Sequence, residues 1–378
     1  MTRFLVGPYK QMSMAPISQF AANRLEALRG VAAVVVAVFH SLIVVEGSPS
    51  AQNWIPEWIF VFNGRAAVTL FFVLSGFVLG LSLMRRSEPL RSAYPGFALR
   101  RIMRIYPALL VSTALVLLLL WLGPNRPLTT PSVFVNTYFP TEISYPDVLA
   151  NLLLLRHDLN SVTWTLTMEM LGSLLLPFLW AASCKFAPIT FLLLPVCLVA
   201  TWLYPESISI AVIPAFILGF ATMYTSRIWG CSYPSITRTY LGAVCGILLL
   251  LLSKPLVELC SLPFSFSYFP EAVGASLVIS SIAYGVQSSA WRCLDASMLR
   301  WVGKISYSYY LLHPLALMGL SIAFLEWILI AGNYEHPILC SLVLFIGSSA
   351  IAFPIAYVIY RIVEKPAIRF SRVLSDGL

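Results

Sequence analysis

The chain has 378 residues, of which 59% are hydrophobic and 11% charged, with a net charge of +8. A soluble globular protein carries about 25% charged residues, so this composition excludes a soluble enzyme and predicts an all-α, polytopic integral membrane protein. The 24 Lys and Arg residues fall between apolar runs and form no basic module, which argues for orientation in a lipid bilayer and against nucleic-acid binding.

Residues 1–22 lack the charged start, apolar core and cleavage site of a signal peptide and read as a short cytoplasmic arm. A single membrane domain is expected over 23–368, with a cytoplasmic tail at 369–378. Crossing a bilayer takes about 20 apolar residues. Suitable runs lie near 26–46, 65–84, 105–123, 163–183, 186–203, 207–226, 239–256, 270–290, 304–330 and 337–361, about ten in all. With the N-terminus inside, every basic residue except Arg65, Arg126, Arg156 and Lys254 falls on the inner side. That bias predicts a plasma (inner) membrane protein with both termini cytoplasmic.

Polar residues interrupt these runs in a pattern. The first span, "RLEALRGVAAVVVAVFH", carries Arg29 and, eleven positions on, His40. Eleven helical steps make three turns plus about 20°, so both side chains share a face, about 16 Å apart along the axis. In the second span, "GFVLG" at 76–80 is a small-xxx-small pattern that signals close helix packing. Ser75 beside it has no base near it in sequence and is read as a packing residue, or at most as pore-lining. Arg100, Arg101 and Arg104 stand at the mouth of the third span, at the same inner level as Arg29. Such a group orients a helix, and it also makes a cradle for phosphates. Glu169 sits about six residues into the fourth span, at a depth within about 5 Å of that of His40, so the two would meet if their helices are neighbours. In the ninth span Ser306, Tyr310 and His313 share a face. Pro314 withholds one helical hydrogen bond there, and the imidazole of His313 is expected to satisfy the carbonyl this leaves. The seven cysteines, at 184, 197, 231, 245, 260, 293 and 340, show no metal-binding spacing, and no metal is expected.

An intramembrane base, a carboxylate and inner arginines suit a nucleoside-linked group donor. Its phosphates would lie on the arginines and its reactive end would point toward His40. Six segments, in order, resemble the motifs of the membrane acyltransferase-3 family. They are "RLEALRGVAAVVVAVFH", "FFVLSGFVLG", "RRIMRIYP", "WTLTMEM", "GKISYSYYLLHPL" and "VEKP". Two positions depart from the pattern. Leu25-Glu26-Ala27 stands where relatives have Leu-Asp-Gly, and Met170 follows the acid where they often have a second polar residue.

The resemblance implies a membrane O-acyltransferase that moves an acyl group, usually acetyl, from cytoplasmic acyl-CoA to a hydroxyl, typically on a glycan. It places the essential pair on Arg29 and His40, the CoA-binding arginines on Arg100, Arg101 and Arg104, and the acid on Glu169. His40 would act as general base, with Glu169 orienting it. No soluble transferase domain follows the last span, so a separate periplasmic or extracellular enzyme would complete any onward transfer. The competing readings are a proton-coupled transporter using Arg29, His40, Glu169 and His313 as a relay, and a non-catalytic subunit of glycan assembly.

Overall fold

A computed structural model of the chain describes residues 17–46, 61–84, 90–122, 143–186, 188–229, 235–285, 289–331 and 337–375. Most of the expected N-terminal arm and much of the outer loop before Ser144 lie outside these residues. Among the described residues the protein is all-helical, with no strand. The helices are α1 (Gln19–Glu46), α2 (Gly64–Met84), α3 (Leu90–Leu122), α4 (Tyr145–Leu152), α5 (Trp164–Lys185), α6 (Ile189–Leu203), α7 (Ile208–Ala211), α8 (Ile213–Trp229), α9 (Ile236–Leu259), α10 (Tyr268–Tyr284), α11 (Ser297–Ala331), α12 (Pro337–Ile359) and α13 (Lys365–Ser375). A π turn, Tyr360–Glu364, joins the last two.

Each expected span falls on a helix. Seven described helical stretches are long and apolar enough to cross a membrane, and two shorter apolar ones run over Ile189–Leu203 and Ile208–Tyr224. Helices are the economical solution in lipid because each satisfies its own backbone. The inversion typical of membrane proteins is visible in the side chains. Leu110, Leu118, Leu175, Val196, Leu241 and Val244 are exposed, while Ser173, Thr190, Ser253 and Ser281 are buried. Two boundaries differ from expectation. The first helix begins at Gln19, inside the predicted arm, and the tail is helical to Ser375. The tail helix places polar and basic residues on one side and turns Ser371 inward.

Backbone contacts divide the chain into two compact units. The first holds residues up to Leu28, Thr69–Leu90 and Gly172–Arg300; the second holds Arg29–Val68, Arg91–Leu171 and Trp301–Leu378. In the first unit α2 and α8 touch backbone to backbone. A Cβ on Gly76 would strike the carbonyl of Phe216, and one on Gly219 would strike that of Val73. Gly80 lies against Met223 and Phe220. The small-xxx-small segment therefore packs as expected, and Ser75 is a buried member of that crossing. Helices α9 and α10 cross in the same way at Gly246 and Gly274. Arg24 closes this unit with a two-pronged ion pair, donating from Nε and a terminal nitrogen to the two carboxylate oxygens of Asp295, both at 2.7 Å. Those hydrogen bonds hold the Asp295 carboxyl below its usual value.

In the second unit α4 is opened by a capping box, Ser144 with Asp147. It is closed by Leu154 at φ 59°. A left-handed residue without glycine costs roughly 1 kcal/mol. Burial of the Leu154 side chain and a hydrogen bond from Thr167 Oγ1 to its carbonyl at 2.9 Å offset this. The turn delivers the chain to Asn160, whose Nδ2 donates to Ser112 Oγ of α3 at 3.0 Å and to the Leu311 carbonyl of α11 at 2.9 Å. One buried amide thus ties the entry of α5 to two other helices.

Candidate active site

Two contacts set the register of α1 against α11. A Cβ on Gly30 would lie 2.6 Å from the backbone nitrogen of Gly303, so the helices meet there without side chains between them. Ten residues further along both helices, His40 Nδ1 lies 2.9 Å from His313 Nε2. Equal steps in the same direction make the two helices parallel neighbours, about 15 Å of rise separating the glycine contact from the histidine contact.

The histidine rings are nearly coplanar, at 17° with centroids 5.1 Å apart. This separation exceeds the nitrogen–nitrogen distance by about one ring's width, so the rings meet edge to edge with their lone pairs in plane. His313 is only 1% exposed, whereas His40 remains partly accessible. Tyr309 and Tyr310 flank His313, with centroids at 5.8 and 5.7 Å. Tyr309 is itself fixed by Ser349 Oγ at 2.9 Å and by face-to-face packing on Phe353 at 4.2 Å. Thr165 Oγ1, at the start of α5, donates to the Tyr310 hydroxyl at 3.1 Å. The inner ring of the pair is therefore clamped and the outer ring faces open space.

The basic cluster occupies the same unit. Arg101 feels the charges of Glu169, Arg104, Arg29 and Arg100, so these five groups form one electrostatic neighbourhood. Its guanidinium stands over the Phe97 ring at 6.0 Å, and its buried Nε has no hydrogen-bond partner. Arg104 is used differently. It forms an ion pair with Glu364 on the π turn, and Glu364 also accepts from Ser308 Oγ at 2.9 Å. Tyr307 covers Arg104 at 5.5 Å and donates its hydroxyl to the Ile105 carbonyl at 2.7 Å.

Set against the sequence, most of the named residues converge. Arg29, Arg100, Arg101, Arg104, Glu169, His40, Tyr310 and His313 all belong to the second unit, and Ser75 belongs to the first. The partner of His40 at Nδ1 is His313, where sequence depth had suggested Glu169. Depth alone could not choose among helices, and the Gly30–Gly303 contact brings α11 beside α1. Glu169 acts on Arg101, Arg104, Tyr307 and Tyr310, at the arginine end of the cluster. Two contributors went unnoticed in sequence. Glu364 was legible only as part of "VEKP", and Asn160 carried no signal beyond its place before a helix start. Among the described residues no group of His, Cys, Asp or Glu is arranged to hold a metal ion.

Residues 23–361 match the sequence profile of a family described as "Acyltransferase domain". No curated protein and no solved structure gives a significant match to the chain.

Proposed function

Since the chain belongs to the acyltransferase family that it matches over residues 23–361, we propose that this membrane acyltransferase moves an acetyl group from acetyl-CoA to a hydroxyl of a carbohydrate, such as a surface or exported polysaccharide. The donor is cytoplasmic in this reading, and the protein lies in the plasma (inner) membrane with its termini inside.

The observation that carries the reading is Arg101. A buried guanidinium nitrogen without a partner is costly and uncommon. Here it sits among Arg29, Arg100 and Arg104, in the same unit as a partly accessible histidine. Phosphate oxygens would satisfy it and offset the crowded positive charge. Arg29 and His40 lie about 16 Å apart along α1. That is shorter than extended CoA, so Arg29 would meet the phosphates nearest the pantetheine arm while His40 meets the thioester.

His40 then acts as general base. Its ring nitrogen takes the proton of the acceptor hydroxyl, and the oxygen attacks the thioester carbonyl. The C–S bond breaks, and the departing thiolate takes the proton back from His40. An ester and free CoA result. Arg104, tied to Glu364, holds the cluster in shape more than it grips the donor, while Arg100 and Arg101 supply the phosphate contacts.

The test is release of CoA thiol by purified protein in lipid nanodiscs, with labelled acetyl-CoA and a polysaccharide acceptor. Release should depend on the acceptor, and label should appear on the sugar as an ester. Proton flux across vesicles without CoA release would instead identify a transporter and overturn the assignment.

A further inference from the structure

The sequence "YLLHP" ends in a proline at a point of consequence. Pro314 has no N–H to give to the carbonyl of Tyr310, four residues before it. The Nδ1 of His313 faces the carbonyls of Tyr310 and Tyr309, short of full hydrogen-bond geometry to either. Both of these neighbours are acceptors. A proton on Nδ1 is therefore attracted to them, and a lone pair there would be repelled. With Nδ1 protonated, the neutral ring carries its lone pair on Nε2, the nitrogen 2.9 Å from His40. That nitrogen can only accept, so Nδ1 of His40 must donate. The remaining nitrogen of His40, Nε2, then holds the lone pair.

We propose that His313 is a positioning residue that fixes the tautomer of His40, so that the accessible ring always presents a basic Nε2 to the acceptor hydroxyl. The proposal rests on the reading of His40 as base. The opposite polarity fails on two counts. It would set the His313 Nδ1 lone pair against two carbonyls, and it would leave His40 with a proton where a base is needed. The role is that of the carboxylate behind the histidine in a hydrolase triad, performed here by a second imidazole. The near coplanarity of the rings keeps the shared hydrogen in plane, and burial of His313 keeps water from competing for it. When His40 becomes an imidazolium, the same hydrogen bond shares the charge.

Two measurements test this. The chain has only four histidines, so 15N-histidine spectra of the protein in lipid can be assigned by single substitution. Without any substrate, His40 should show a protonated Nδ1 and an unprotonated Nε2, and His313 → Leu should scatter that population over both tautomers. In acetyl transfer, His313 → Leu should lower kcat by about 10²-fold with KM for acetyl-CoA unchanged. His313 → Gln sets an amide oxygen near the position of Nε2 and should recover kcat to within about tenfold of the parent. A proton on Nε2 of wild-type His40, or equal kcat for Leu and wild type, or equal losses for Gln and Leu, would overturn the proposal. None of these results depends on whether His40 is the base. That reading falls separately, if His40 → Ala still acetylates.

Discussion

The crossing of α2 with α8 and the crossing of α1 with α11 are both made by glycines, yet only the second leads, ten residues on, to a pair of histidines. At the first crossing Gly76 and Gly219 bring two backbones together, and the residues around them are Val73, Phe216, Phe220 and Met223. At the second, Gly30 and Gly303 do the same, and the helices then present His40, Tyr310 and His313. Close approach is the same physical event in both places. A side chain would hold the backbones apart, and glycine removes it. Whether closeness serves packing or chemistry depends on what the helices project a few turns later.

The comparison breaks most sharply at His40. Replacing it by Ala should cut acetyl transfer by about 10²–10⁴, while calorimetric binding of a non-hydrolysable acetyl-CoA analogue stays as in the parent. Next come the glycines. Gly303 → Val forces α1 and α11 apart, and kcat should fall at least about tenfold as His40 loses its partner, a misplacement effect. Gly219 → Val should instead cost about 1–3 kcal/mol of stability, read as a lower Tm, with kcat of the folded fraction nearly unchanged. If both variants lose only stability, the second crossing is as structural as the first.

Two arginines sharpen the contrast within the second unit. Arg101 → Ala should raise KM for acetyl-CoA about tenfold, the loss of one or two charge-assisted bonds. Arg104 → Ala leaves Glu364 buried without its partner and should cost about 3 kcal/mol of stability, with Glu364 → Gln, Arg104 → Ala recovering part of it. Ser75 → Ala, at the first crossing, should change activity by less than about twofold, as expected for a packing residue. The smallest effect is that of pH on the first unit. The Asp295 carboxyl is held low by Arg24, so its contribution is complete above the ordinary carboxylate range and fades as pH falls through the folded-state value. Tm measured against pH should lose part of its acid limb in Asp295 → Asn.

Much of this architecture was legible in sequence because lipid enforces long apolar helices, and because a residue's place along a span gives its depth. Depth correctly put Arg29 with Arg100, Arg101 and Arg104. It could not supply azimuth or neighbourhood, and so it pointed His40 toward Glu169 when α11 is the helix beside it. Gly30 and Gly303, which decide that neighbourhood, sit in "RGVAA" and "VGKIS", where each looks like any glycine in an apolar helix. Glu364 was invisible for a related reason. An acid close to the end of a span reads as interfacial, and only the π turn directs it inward to Arg104.

That π turn has a consequence for how the chain tolerates insertions and deletions. Tyr360–Glu364 holds one residue more than an α-helical turn would use. Deleting a single residue there, such as exposed Ile362, would let the turn rewind and rotate everything beyond it by about 100°. Glu364 would swing away from Arg104 and Ser308. Ser371 would leave the interior, and Ser375 would lose its seat against Gly96. A change of one residue that an exposed loop would absorb unnoticed is thus felt at the arginine cluster and at the chain's end together, and the spacing between "VEKP" and the end of α12 has no slack in either direction.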